Sequence, residues 1–113
     1  MCGIAVAIGL KGQPIERVAI ERMAKSLLHR GPDDSGIYVD GAVGMGFRRL
    51  SILDLSEAGH QPMVSEDGRY VLVFNGEIFN YVELRSELRQ LGYQFRSSGD
   101  SEVLLAAYRQ WGR

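Results

Sequence analysis

Apolar and polar positions alternate along this chain in short blocks, each with a recognisable period. Ile4, Val6 and Ile8, with Ala5 and Ala7 between them, form an apolar run closed by Gly9, the pattern of a buried strand. Residues 10–13 read as a polar turn, and Pro14 suits a first helical position. Ile15, Val18, Ala19, Met23 and Leu27 follow helical spacing, with Glu16, Arg17, Glu21, Arg22 and Lys25 on the other face. This predicts a helix over 14–28, ended by Gly31-Pro32. Ile37 to Val39 reads as a strand, Asp40-Gly41 as a hairpin turn and Ala42 to Arg48 as the return strand. In that return, Gly44 and Gly46 alternate with Val43, Met45 and Phe47, so another backbone or a ligand should approach one face closely.

Leu50 to Leu55 offers an optional further strand, followed by a polar loop through Gly59-His60-Gln61-Pro62. Met63 to Ser65 and Arg69 to Phe74 flank Glu66-Asp67-Gly68 as a second hairpin. Asn80 is placed as an N-cap, with Glu83 completing a capping box, for a helix over 81–91 stopped by Gly92. Tyr93 to Arg96 reads as a short strand, and Asp100 or Ser101 as the cap of a last helix over 101–111. Adjacent hairpins with helices before and after them point to antiparallel pairing and the α+β class.

Composition narrows the function classes. The chain has 113 residues, enough for one small domain, and 45% of them are hydrophobic, so a core is expected. With 13 basic and 14 acidic residues the net charge is −1, which gives no electrostatic reason to expect nucleic acid or an anionic membrane as a partner. A single cysteine excludes an internal disulfide, and with only two histidines no metal site is expected. No apolar run approaches the roughly 20 residues of a membrane span. The apolar start reads as a strand rather than a signal peptide, so the expected location is cytoplasmic.

The one cysteine, Cys2, follows the initiator. Removal of Met1 would leave a thiol and a free α-amino group on one Cα, with an amine pKa of about 7.7–8.0. One residue could then supply a nucleophile and its base. The plain alternative is a small buried hydrophobe. Four polar clusters accompany it: Arg30 to Gly36, Arg48-Arg49, Asn75-Gly76-Glu77, and Gly99 to Glu102. Each also has a structural reading, as a turn, solvated charges, a hairpin dipeptide and a helix cap. Together they match the needs of amide hydrolysis at an amino acid. The Asn75 side-chain N–H and the Gly76 backbone N–H suit an oxyanion. Arg49 suits an α-carboxylate, and Asp100 and Glu77 suit an α-ammonium. Glutamine is the natural substrate for such a set.

Met1-Cys2-Gly3-Ile4, the run His29-Arg-Gly-Pro-Asp-Asp-Ser-Gly36, Arg49-Leu-Ser-Ile-Leu-Asp-Leu55, Gln61-Pro62, Asn75-Gly-Glu-Ile-Phe-Asn-Tyr81 and Gly99-Asp-Ser-Glu-Val-Leu-Leu105 occur in that order. The ordered set resembles the amino-terminal glutaminase domain of the glutamine-hydrolysing asparagine synthetases, a class II glutamine amidotransferase. The resemblance covers nearly the whole chain. It implies an N-terminal-nucleophile (Ntn) hydrolase fold, a layered α/β/β/α sandwich with mostly antiparallel sheets. It also implies Cys2 as nucleophile, Asn75 and Gly76 as oxyanion hole, and Arg49, Glu77 and Asp100 as substrate ligands, with Leu50 and Ile52 lining the pocket. Residues 1–113 would then be a partial type 2 amidotransferase domain, incomplete at the C-terminus. The glutaminase half would need no cofactor. ATP and magnesium would belong to a C-terminal synthetase domain absent from this chain, its expected partner, and a homodimer of the full-length protein is compatible with the resemblance.

Pro32-Asp33-Asp34 and Leu50-Ser51-Ile52 look like the asparagine synthetase branch, though relatives that pass ammonia to other carboxyl groups share them. A non-catalytic truncated fragment is the remaining alternative. Phe79 stands where the family often has tyrosine.

Overall fold

The computed structural model describes residues 2–50 and 59–112. Strand β1 (Gly3–Ile8) leads through a short 3-10 turn (Leu10–Gly12) to helix α1 (Arg17–Ser26). Strands β2 (Asp34–Asp40) and β3 (Val43–Arg49) form the first hairpin, and β4 (Met63–Val64) and β5 (Val71–Leu72) the second. Helices α2 (Tyr81–Gln90) and α3 (Asp100–Trp111) follow. The first sheet has the order β1-β3-β2, all antiparallel, and β4 and β5 pair separately, also antiparallel. The α+β class with antiparallel sheets is therefore observed, in keeping with an Ntn-hydrolase-like fold.

Side-chain alternation gives the first sheet two unlike faces. Gly3, Ala5 and Ala7 lie opposite Arg48, Gly46 and Gly44, and this face carries α1. The close neighbour that the alternating glycines call for is that helix. A Cβ on Gly44 would sit 2.6 Å from Ile20, and one on Gly46 would sit 3.1 Å from Ala24. Ile20 is fully buried there. Ile4, Phe47, Arg49, Asp34 and Gly36 share the opposite face, where the register pairs Ile4 and Gly36 with Phe47 and Asp34 with Arg49. A second core lies between α2 and α3, built on Leu88, Val103 and Ala106 with Tyr81, Leu84, Tyr93 and Phe95 packed around them. Leu88 and Val103 are fully excluded from solvent, which is worth roughly 1.5–3 kcal/mol for each side chain.

Four expectations change. Helix α1 starts at Arg17 rather than Pro14. Ile15 instead donates its N–H to Gly41 O at 2.8 Å and lays its side chain over Gly44, so a tertiary contact takes the residues that propensity assigned to the first turn. Asn80 occupies the N-cap of α2 but its side chain makes no capping bond. Its backbone (φ −103°, ψ 34°) is not the extended conformation that aims a cap side chain at the helix N–H groups. The cap of α3 is Gly99, and Asp100 is the first helical residue. Tyr93 to Arg96 is not a strand. Two of its amides find local partners, Tyr93 N–H in Leu88 O and Arg96 N–H in the Glu102 carboxylate, while Tyr93 and Phe95 pack on the helices. The optional strand at Leu50 to Leu55 falls, apart from Leu50, outside the described residues. Among the described residues no helix is long and apolar enough to cross a membrane.

Candidate active site

Cys2 precedes β1 and, by the two-residue period, shares the sheet face of Ile4, Phe47 and Arg49. Its sulfur is held by the end of β3, where Leu50 N–H donates to Sγ at 3.4 Å and Sγ lies 3.7 Å from Leu50 O. Its carbonyl oxygen accepts from two side chains, Asn75 Nδ2 at 3.1 Å and Arg30 Nε at 3.3 Å. The loop carrying Arg30 is stitched to the same strand. Arg48 Nε donates to Gly31 O at 3.0 Å, and Asp33 N–H donates to Arg49 O at 3.0 Å. A Cβ on Gly31 would lie 2.4 Å from the Arg48 backbone. Only glycine lets the loop run this close beneath the site.

Arg49 is 8% exposed. Its Nη1 lies 4.0 Å from Asp34 Oδ2, and that oxygen is 2.7 Å from His60 Nδ1. Ser35 N–H donates to the other oxygen of Asp34 at 2.8 Å. Partial burial opposes ionisation of Asp34, but the bonds from His60 and Ser35 and the nearby Arg49 charge outweigh it and hold the carboxyl below the usual carboxylate range. A depressed folded pKa contributes stability at and above the unfolded value, and that stability is lost as pH falls through the lower folded value. Asp34→Asn is expected to cost no more than about 1 kcal/mol at neutral pH, since the side chain is 38% exposed. The deficit should shrink to nothing at strongly acid pH. Urea unfolding of both proteins from about pH 2 to pH 7 reads the difference.

Asn75 and Gly76 follow β5, and Glu77 comes next. This segment is braced against the start of α3, where Asp100 Oδ2 accepts Ile78 N–H at 2.8 Å. Arg85, on α2, steadies the turn before Asp100 by donating Nη2 to the carbonyls of Ser98 and Gly99. Glu102 closes the same turn by accepting from the backbone of Arg96 and Ser97.

Cys2, Arg49, Leu50, Asn75, Gly76, Glu77 and Asp100 all line one open cavity of about 400 Å³, between the end of the first sheet and the start of α3. Ile52 lies outside the described residues. Three of the four polar clusters separated in sequence thus share this cavity, and the fourth, Arg30 to Gly36, lies behind it, with Arg30 on the Cys2 carbonyl and Asp34 beside Arg49. The Asn75 amide donates one N–H to the Cys2 carbonyl oxygen. An amide NH2 carries two hydrogens, so one N–H remains for another acceptor.

Phe47, Gln61, Met63, Phe74, Ser97 and Ser101 also line the cavity, and the sequence alone assigns none of them a catalytic or substrate-binding role. Gln61-Pro62 is part of the motif string, but nothing in its spacing shows which way the amide turns. Gly36 is the residue that admits this loop to the site. A Cβ there would lie 1.9 Å from Gln61 O and 2.8 Å from His60 Nε2. Gly36→Ala must push the Gly59–Pro62 loop off β2, at an expected cost of about 1–3 kcal/mol. A denaturant melt measures it, and an unchanged midpoint would refute the close fit.

The chain matches the family described as "Glutamine amidotransferase domain" over residues 1–113. It is 53% identical over 92 residues to asparagine synthetase [glutamine-hydrolyzing] 1 of Bacillus subtilis, an alignment covering 81% of this chain and 14% of that protein. It is 47% identical over 129 aligned residues to a putative asparagine synthetase [glutamine-hydrolyzing] of Mycobacterium bovis, covering 99% of this chain and 20% of that protein. With asparagine synthetase [glutamine-hydrolyzing] 1 of Arabidopsis thaliana it shares 37% over 113 residues, covering 99% and 19%. The chain spans a fifth or less of the length of these relatives.

Proposed function

We propose, because this chain belongs to the glutamine amidotransferase domain family, that its cavity hydrolyses the side-chain amide of glutamine with Cys2 as the nucleophile. The observation that carries the reading is the shared cavity: a thiol, amide donors, a buried guanidinium and a carboxylate lie around one space of amino-acid size.

Removal of Met1 frees the Cys2 α-amine. The amine takes the thiol proton, and the sulfur attacks the amide carbon, opening the C=O to a tetrahedral oxyanion. Asn75 Nδ2–H and Gly76 N–H donate to that oxygen. The amine returns its proton to the leaving nitrogen, the C–N bond breaks, and ammonia departs from a γ-glutamyl thioester. Water then attacks the thioester, the C–S bond breaks, and glutamate leaves with the thiol restored. Every group in this sequence belongs to the chain, the substrate or water. Arg49 binds the α-carboxylate, and Asp100 with Glu77 binds the α-ammonium. One Asp100 oxygen holds Ile78 N–H, which leaves the other for this task. Leu50 and Ile52 line the pocket.

The ammonia serves asparagine synthesis. The relatives named above are called glutamine-hydrolysing asparagine synthetases, and each extends far beyond the aligned part. ATP, magnesium and aspartate belong to the remainder of such a protein, and the reaction is placed in the cytoplasm. The test uses the full chain that carries this domain, with its N-terminus determined by mass spectrometry. Protein lacking Met1 should release ammonia and glutamate from glutamine in equal amounts. A Met1-free protein that releases neither would overturn the reading.

A further inference from the structure

Gln61 is a buried polar residue, 5% exposed, that the proposed chemistry leaves without a part. Its amide spans the cavity wall. Oε1 accepts Phe74 N–H at 2.6 Å, and Nε2 donates to Ser101 Oγ at 3.2 Å. Phe74 immediately precedes Asn75 and Gly76, and Ser101 immediately follows Asp100. Strand β5 ends at Leu72, so Phe74 N–H has left the ladder, and the Gln61 oxygen is the partner it finds. The backbone of Gln61 in turn presses on Gly36 of β2, on the sheet face that carries Arg49. One residue therefore connects three parts: its side chain joins the segment before Asn75 to the start of α3, and its backbone rests on the sheet.

We propose that Gln61 is a positioning residue that sets the separation between the oxyanion donors and the α-ammonium site, so that both ends of one glutamine are held at once. The inference rests on the glutaminase reading and adds a determinant of its substrate selectivity. In glutamine only a short methylene chain separates the amide carbon from Cα. The two walls must therefore stand at one distance, and a displacement of about 1 Å costs roughly 100-fold in rate. Two fixed bonds from one planar amide hold that distance better than separate contacts would. The Asp100 bond to Ile78 N–H joins the same two walls further along, so loss of Gln61 should loosen the gap rather than collapse it.

The experiment compares two substrates in the full chain lacking Met1: glutamine, and 4-carbamoylbutanoate, which is glutamine without its α-amino group. Gln61→Leu is expected to lower kcat/KM for glutamine by roughly 10- to 100-fold, and to lower it several-fold less for the desamino substrate, which has no ammonium to align. Gln61→Leu also strands Phe74 N–H. Ser101→Ala is therefore run beside it, since it cuts only the far bond, and it should show the same preferential loss on glutamine. In the double variant the Ser101→Ala loss should not add to that of Gln61→Leu, because both remove one strut. A purely structural role would reduce active protein and lower both substrates by one factor. Equal losses on the two substrates, or full additivity, overturn the proposal while leaving the glutaminase reading intact. An inactive wild type overturns both.

Discussion

Cys2→Ala is expected to abolish ammonia release from glutamine, lowering kcat by at least about 10³-fold, while the protein still binds glutamine. The alanine keeps the α-amino group and, on the proposed reading, the oxyanion donors and the ligands for both charged ends of the substrate. What it removes is the atom proposed to form the thioester, and residues 1–113 hold no second thiol to replace it. Water attack in the empty site would gain only from substrate positioning and the oxyanion hole. The fold should tolerate the change, because among the described residues Sγ makes just the long contacts to Leu50. Binding by calorimetry and ammonia by a coupled assay separate these effects. Ammonia release at the wild-type rate from Cys2→Ala would remove the nucleophile from the proposal, and with it the need to process Met1.

The second large effect is expected at Asn75. Asn75→Ala should lower kcat by roughly 10²–10³-fold with little change in KM, the usual signature of a lost oxyanion donor. The amide contributes twice. In the proposed reaction it donates to the developing negative charge, and in this structure it pins the Cys2 carbonyl oxygen at 3.1 Å. Arg30 Nε donates to that same oxygen at 3.3 Å, so Cys2 keeps one anchor when Asn75 is truncated. The catalytic loss should therefore exceed any loss of stability. Steady-state kinetics alongside a thermal melt would show this. A raised KM with unchanged kcat would instead assign Asn75 to ground-state binding.

The site was legible to different depths. Chemistry carried by residue type could be read directly. A lone thiol beside the initiator, an Asn-Gly pair, a loop of Arg, Gly, Pro and Asp, and an acidic residue at a helix start each state what they can donate, accept or attack. The period of two in the first sheet was equally plain, and so was the close neighbour required by Gly44 and Gly46. Helix boundaries were less legible. Ile15 has the spacing of a helical residue, yet its N–H is taken by Gly41 and its side chain by Gly44. Tyr93 to Arg96 has strand composition, but among the described residues no strand pairs with it to complete a ladder. Its amides turn to Leu88 and Glu102 instead.

By itself, then, the sequence determined which groups the chain can bring to a reaction and which face of each strand carries them. Those depend on side-chain chemistry and a local backbone period. Tertiary structure alone decided how those groups meet. Asp34 is joined to both Arg49 and His60, and Gln61 ties Phe74 to Ser101, the latter 40 positions further along the chain than Gln61 itself. Such contacts depend on how loops are laid over a sheet, a geometry that no local pattern encodes. A glutamine side chain, moreover, looks the same in a sequence whether it points to solvent or spans a cavity wall.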